Sequence, residues 1–199
     1  MNLIIIGSGG HAGVVIDAVR QSQIWEIEGL LDETKPNEIY CHGYSILDRA
    51  EVMRNPGCLK FFVAIGENAL RERFSKTNGL SFVNILHPRS YQADKVLGGG
   101  SFFAANSVVG HGSRVGNFCI INTGAILDHD SELGDYSHLC PGVVTGGRVK
   151  IGSRTTIGLG AMIRDGVSIG DNCEIGMGSV ILHDVPDNTR GWGNPFKAQ

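Results

Sequence analysis

Between residues 115 and 181 the chain sets an aliphatic residue at every sixth position. These are Val115, Ile121, Leu127, Leu133, Leu139, Ile151, Ile157, Ile163, Ile169, Ile175 and Ile181, with Thr145 the one departure. A period of six matches neither the 3.6-residue helix nor a long two-residue alternation. It fits a short strand and a corner, repeated, with the aliphatic rung pointing inward. Glycine follows the rung at 116, 134, 146, 152, 158, 170 and 176, where a corner asks for backbone angles other residues avoid. Four residues after each rung comes a small or β-branched side chain, such as Cys119, Ala125, Ser131 or Thr155. This is the hexapeptide signature of a parallel β-helix. Upstream, Val96, Phe102 and Val108 keep the step, with one extra residue between Val108 and Val115.

Of 29 glycines, 20 fall in residues 96–199. The composition shift places a domain boundary near Pro88 to Val96 and divides the chain into 1–90 and 91–199. Net charge is −3, without a basic run, which argues against a nucleic-acid partner. MNLIIIG has no basic leader and too short an apolar run for a signal peptide. No stretch approaches the roughly 20 apolar residues of a membrane helix. The five cysteines lack CxxC spacing and read as reduced thiols in a cytoplasm, with no metal site.

The first unit opens as strand, glycine turn and helix in LIIIGSGGHAGVVIDAVRQS. Gly7-x-Gly9-x-x-Ala12 matches a phosphate-binding turn, and Asp32 follows the next apolar strand, EIEGLLD. KFFVAIG reads as a further strand, ENALRERFSK as a helix and LSFVNIL as a fourth strand. A unit of this size suits one mononucleotide half, so a nucleoside mono- or diphosphate group is expected rather than a dinucleotide. The acid is expected to meet ribose and the helix start to meet phosphate.

The hexads resemble those of the left-handed parallel β-helix acyltransferases. GSGGHAG, LLDETKP and FVAIGEN resemble the nucleotide-binding domain of bacterial nucleotide-sugar aminosugar N-acetyltransferases, including those acting on UDP-4-amino-4,6-dideoxy sugars. The resemblance implies a small Rossmann-like α/β domain joined to a left-handed β-helix with 18 residues per coil and about five coils over 96–185. It also implies a homotrimer with acetyl-CoA bound between subunits. Carried over by motif, Gly9, Gly10 and His11 touch the nucleotide sugar, Asp32 and Glu33 hold base or ribose, and Gly66 approaches by its backbone. Lys35 is assigned to phosphate on its charge alone.

With 18 residues per coil, His129, Gly147 and Asp165 stack along one corner, and Pro141, Leu159 and Met177 along another. An imidazole titrates near neutrality and suits a general base that takes a proton from an attacking amine. Asp130 is expected to orient the His129 ring, and the Gly147 N–H to face the oxyanion. The resemblance supports His129-Asp130 as the catalytic pair. It assigns His138, Leu159 and Met177 to acetyl-CoA, and Asn122 is expected to contact the sugar. His42, His87, His111 and His183 read as surface or loop residues. The leading expectation is therefore an acetyl-CoA-dependent N-acetyltransferase for the 4-amino group of a UDP-linked amino-dideoxy sugar. A sialic acid O-acetyltransferase shares the fold and the nucleotide-type turn. A γ-class carbonic-anhydrase-like lyase is disfavoured because no H-x4-H pair occurs.

Overall fold

The computed structural model describes residues 1–35, 40–94 and 97–199. Its first unit is a three-stranded parallel sheet in the order β2-β1-β3, formed by β1 (Asn2–Ile6), β2 (Glu26–Leu31) and β3 (Lys60–Val63). Helix α1 (Gly10–Ser22) connects β1 to β2, and α2 (Arg49–Arg54) and α3 (Asn68–Ser75) follow β2 and β3. After the exposed Asn2, β1 is apolar because both sides of the sheet are covered. Leu3 and Ile5 pack with Ala12, Val15, Ile16 and Val19 of α1, at helical spacing. Ile4 and Ile6 pack on the other side with Phe61, Val63 and Phe74. α2 is only six residues long and buries none of them, so no apolar period marks it in the sequence. Its start is set by Asp48, whose carboxylate accepts from Ala50 N at 2.7 Å and Glu51 N at 3.2 Å.

The expected fourth strand, LSFVNIL, divides between the two units. Phe82 bridges Phe61 at the sheet edge, whereas Ile85–Leu86 pairs with Phe102–Phe103 and starts the solenoid. From there the chain winds through two-residue strands in register 18 residues apart. Ile120–Ile121 lies beside His138–Leu139, which lies beside Thr156–Ile157, then Glu174–Ile175. The first residue of each pair faces out and the second faces in. Phe103, Val109, Val115, Ile121 and every later aliphatic rung to Ile181 share one continuous core. Burying each such side chain contributes about 1.5–3 kcal/mol.

This corrects the upstream register. The step of six runs unbroken through Leu97, Phe103 and Val109 into Val115, with no extra residue, and Leu97 bridges Val115. Phe102 and Val108 are the outward members of their pairs, and Phe102 belongs to the core shared with α1. Aliphatic or aromatic doublets (FF, VV) fit either register by count, and only the fold selects between them. Val96 lies outside the described residues.

The glycines that follow rungs also have a different cause from the expected one. None of the seven has a positive φ. A Cβ on Gly134 would stand 2.5 Å from Ser153 N in the next coil, and one on Gly158 2.6 Å from Ile175 O. Crowding between coils excludes a side chain there; the left-handed corners lie elsewhere, as at Gly124, Gly142 and Gly160. The small residues four after each rung work through their hydroxyls as well as their size. Ser113 Oγ accepts from Ser131 N, and Ser131 Oγ from Val149 N, each at 3.0 Å. Ser137 and Thr155 form a second such column. Buried corner amides are thereby satisfied coil after coil.

Side chains of α3 join the two units: Asn68 Nδ2 donates to Arg154 O at 3.1 Å and Thr156 Oγ1 at 2.9 Å, and Arg71 makes the most bonds. Arg71 of α3 has no exposed surface. Its Nε donates to Phe118 O at 2.7 Å, Nη1 to Ile65 O and Gly66 O at 3.0 Å each, and Nη2 to Asn68 Oδ1 at 2.7 Å and Tyr136 O at 2.6 Å. All five donors of the guanidinium are used, with no carboxylate among the partners. Phe118 and Tyr136 sit at successive corners of the solenoid, with rings stacked 5.7 Å apart. Burial pulls the Arg71 pKa down to about 10, so it stays charged at neutral pH. Arg71→Met would leave several buried carbonyls without donors, at about 1–3 kcal/mol each. We expect a loss of roughly 3 kcal/mol or more in urea denaturation, with only partial recovery in Arg71→Lys, whose ammonium has three donors. An unchanged denaturation midpoint in Arg71→Met would refute the strut.

Candidate active site

A cleft of about 400 Å³ opens at the C-terminal edge of the small sheet, lined in part by Gly9, Gly10, His11, Asp32, Glu33 and Gly66. Its glycines divide into two kinds. Gly7 has φ +108° and its Cβ would meet Ala64 O at 3.0 Å, so the turn itself requires it. Gly9, Gly10 and Gly66 would carry a Cβ into empty space and have no positive φ. Nothing within the chain demands glycine at these three positions; what they leave open is the cleft. Helix α1 begins there with Gly9 as N-cap and no capping side chain, so its first amides remain available to an anion.

Asp32 is fixed by the same turn. Its carboxylate accepts from Ser8 Oγ at 2.5 Å, Thr34 N at 2.8 Å and Thr34 Oγ1 at 2.6 Å. Burial alone would raise its pKa, but the hydrogen bonds from Ser8 and Thr34 prevail and hold it below the usual carboxylate range. Glu33 is gripped by Arg49 and Arg73. Beyond it lies a second cavity of about 500 Å³, walled by Leu31, Ile46, Leu47, Met53, Phe74 and Leu80. Lys35 does not line the cleft.

Where the cleft meets the solenoid, His11 and His138 come together with ring centroids 6.5 Å apart, and His11 lies edge-on to Phe102 at 5.5 Å. His11 Nε2 is buried without a hydrogen-bond partner among the described residues. Asn122 Oδ1 accepts from Thr123 N, which leaves Asn122 Nδ2 to donate to His138 Nε2 at 3.1 Å. That nitrogen is therefore the acceptor, and the His138 hydrogen resides on Nδ1. Burial, and then the charge of Arg71, lower His11 to about 4 and His138 to about 3. Both rings are neutral at physiological pH.

His129 occupies a different corner. A Cβ on Gly147 would fall 2.4 Å from His129 Nε2 and 2.3 Å from its Cε1, so the imidazole fills the space left by the glycine one coil on. The structure corrects the assignment of its orienting partner. Asp128, not Asp130, contacts His129 Nδ1, at 3.1 Å, and also accepts from His129 N at 2.7 Å. These bonds hold the Asp128 carboxyl below its ordinary range. Asp130 instead turns the corner with φ 56°, and its N donates to His111 O. The odd rung is explained here too, because Thr145 Oγ1 accepts from Asp128 N at 2.9 Å. With Nδ1–H committed to Asp128, His129 Nε2 carries the free lone pair of a base.

Pro141, Leu159 and Met177 stack as expected, through Gly160 N to Pro141 O at 3.0 Å and Gly178 N to Leu159 O at 2.8 Å. Leu159 is 51% and Met177 74% exposed. This column and the His129 corner flank one face of the prism, the six-stranded sheet. His138 lies on another, the eight-stranded sheet, on which the small domain sits. A single chain does not bring His129 and His138 together. His87, read as a surface residue, is buried, with Nδ1 accepting from Arg89 N at 3.0 Å.

The neutral histidine pair has a consequence for stability. Unfolded, both rings titrate near 6.5; folded, they resist protonation down to about 4 and about 3. Between those limits the unfolded chain binds more protons, so stability is complete above pH 6.5 and falls on acidification. Urea midpoints should drop from pH 7.5 to 5, and His138→Gln should flatten the dependence. A midpoint that held or rose on acidification would contradict the assignment.

Residues 2–77 match the family model described as the PglD N-terminal domain, and residues 148–183 the hexapeptide repeat of succinyl-transferase. The structure of the acetyltransferase domain of PglB from Neisseria gonorrhoeae is 30% identical, with a TM-score of 0.93 over 100% of this chain and 99% of that one. A mutant of perosamine N-acetyltransferase from Caulobacter crescentus, in complex with CoA and GDP-perosamine, is 34% identical, with a TM-score of 0.93 over 100% and 97%. WeeI from Acinetobacter baumannii, 23% identical, shares the fold, with a TM-score of 0.92 over 100% of both chains. An uncharacterized protein of Acanthamoeba polyphaga mimivirus is 33% identical over 119 residues, which is 59% of this chain and 24% of that protein. The chain thus spans about a quarter of that curated relative. By its small parallel-sheet domain, its hexad solenoid and these full-length matches, the chain belongs to the sugar N-acetyltransferases of the left-handed β-helix family.

Proposed function

We propose that the protein transfers the acetyl group of acetyl-CoA to the 4-amino group of an amino-dideoxy sugar carried on a nucleoside diphosphate. The observation that carries this reading is the His129–Asp128 pair on the Gly147 column, with Nδ1–H engaged and Nε2 open. The amine nitrogen attacks the thioester carbonyl carbon while His129 Nε2 takes the amine proton. The Gly147 N–H faces the oxyanion of the tetrahedral intermediate. Collapse breaks the C–S bond, and the imidazolium returns its proton to the departing thiolate, giving amide and free CoA.

The small domain serves as the nucleotide-sugar unit and the solenoid, which Ile85–Leu86 opens, as the acetyl-transfer unit. The amides of Gly9, Gly10 and His11 receive the diphosphate, Asp32 the ribose, and the cavity past Glu33 the nucleobase. Leu159 and Met177 line the pantetheine arm, and Asn122 and His138 lie where the sugar and thioester meet. Lys35 retains its proposed part only through long-range charge. UDP is the carrier implied by the sequence resemblance. The Caulobacter relative holds GDP-perosamine with CoA, and the gonococcal domain has been solved with acetyl coenzyme A. The cysteines are unpaired thiols, which fits a reducing cytoplasm.

The same reading includes a homotrimer with sites between subunits, and the three faces support it. One carries the small domain. One presents Arg114, Glu132, Lys150 and Ser168 to solvent. The third presents Tyr91, Val108, Ile126, Val144, Met162 and Val180, an uncovered apolar stripe with Met162 51% exposed. Such a stripe fits a second copy of the chain. Both functional columns border it, so packing it encloses them.

Thiol release from acetyl-CoA should appear with a 4-amino sugar on UDP or GDP and fall about 10²–10⁴-fold in His129→Ala. Gly147→Ala, which displaces the ring, should lower it as well. Release only with CMP-sialic acid would move the function to O-acetylation; full activity in His129→Ala would remove the proposed base. Light scattering should show a trimer for the natural chain and smaller, inactive species for Met162→Asp. A monomeric natural chain with full activity would overturn the shared site.

A further inference from the structure

The segment Cys41-His42-Gly43-Tyr44 is a tight turn closed by reciprocal backbone bonds, Cys41 N to Tyr44 O at 2.8 Å and Tyr44 N to Cys41 O at 2.9 Å. Both central residues are left-handed, His42 at φ 51° and Gly43 at φ 83°. Such a turn prefers Asn-Gly, and histidine, though tolerated at its first central position, is not the usual choice there. The imidazole, however, has a built seat. His42 Nε2 lies 3.0 Å from Ser8 O and 3.1 Å from Gly9 O. Both are acceptors, so Nε2 carries the hydrogen. The ring occupies the space of a missing side chain, since a Cβ on Gly13 would stand 3.1 Å from His42 Cε1. The turn is fastened to α1 by Arg20, which reaches Tyr44 Oη at 3.2 Å and His42 O at 3.4 Å. Cys41 Sγ adds a contact to Ser8 O at 3.3 Å.

We propose that His42 is a positioning residue for the nucleotide cleft, pinning the carbonyls of Ser8 and Gly9 to the rear of the glycine turn. The proposal rests on the nucleotide-sugar reading above. In a peptide unit the carbonyl and the next N–H point in opposite directions. Holding Ser8 O and Gly9 O back therefore turns the N–H groups of Gly9 and Gly10 toward the cleft, where a diphosphate meets donors. Gly9 O is also held by Ala12 N at 3.0 Å in the first turn of α1, so the pin acts chiefly on Ser8 O. Without it the Ser8–Gly9 peptide, beside a glycine with open space around it, is freer to rotate its carbonyl oxygen toward the anion and repel it.

His42→Asn tests this, because asparagine suits the turn but is too short to reach both carbonyls. The variant should fold at least as stably as the natural chain. Its Kd for UDP or GDP, by titration calorimetry, and its KM for the nucleotide sugar should rise about tenfold. Its kcat and KM for acetyl-CoA should stay unchanged. His42→Gln, whose amide reaches further, should recover part of the affinity. If the natural chain binds neither UDP nor GDP, the nucleotide reading falls and the proposal with it. If the natural chain binds and His42→Asn binds equally well, the positioning role alone is overturned. A loss of affinity matched by a loss of folded stability in both variants would reduce His42 to a structural residue and also overturn the proposal.

Discussion

The arrangement of this molecule depends on one buried cation. Arg71 meets four backbone carbonyls and one side-chain amide oxygen, and these come from both units: Ile65, Gly66 and Asn68 on the small domain, Phe118 and Tyr136 on the solenoid. A guanidinium without a carboxylate partner is costly to bury. Its retention here is explained by reach and planarity, since no other side chain supplies five donors in a rigid fork. Burial first, and then the same charge, keep His11 and His138 neutral. A group that bonds the two units together thus also contributes to the protonation state of the histidines at their junction.

The solenoid shows how a repeat restricts chemistry to positions it does not need. Inward rungs, hydroxyl columns and crowded glycines are fixed by the contacts of one coil with the next. The positions left over are outward strand residues and corners. His129 and the Leu159–Met177 column lie at corners, and His138 and Asn122 lie on the outer side of one face. The proposed site nevertheless accounts for one irregularity of the core. Thr145 interrupts the aliphatic ladder because its hydroxyl holds the amide of Asp128, the residue that orients His129. Local rules tend to be broken where a site needs support.

Much of this was legible in the sequence, and the reasons for the rest are physical. The period of six exposed the solenoid because every coil repeats the same packing problem. The glycine turn and Asp32 exposed the cleft because phosphate binding needs amides at a helix start. The upstream register was not legible, since doublets such as FF and VV satisfy the count one residue either way. Asp130 was preferred over Asp128 by family likeness; the corner geometry reverses that order, because Asp130 spends its backbone on the left-handed bend. Arg71 looked like one more charge on an amphipathic helix, and its burial depends on a docking between units that no local pattern encodes. His42 carried a readable signal that passed unused: a bulky residue before glycine where a two-residue turn prefers asparagine.

The separation of His129 from His138 gives the assembly its meaning. A prism has three faces, and a residue at the corner between two of them is opposite the third. His129 sits between the apolar and charged faces, opposite the face that carries His138 and the small domain. On the proposed function, a substrate anchored in the cleft of one chain would therefore be on the wrong side of that chain's own proposed base. The apolar stripe lies between the two functional columns and is uncovered. In the proposed assembly, its burial against another copy would remove the exposed Met162 and Val144 from water and bring one chain's corner to its neighbour. The hydrophobic gain that drives association and the geometry that completes the site then come from the same contact, so activity and assembly should not be separable by mutation of that face.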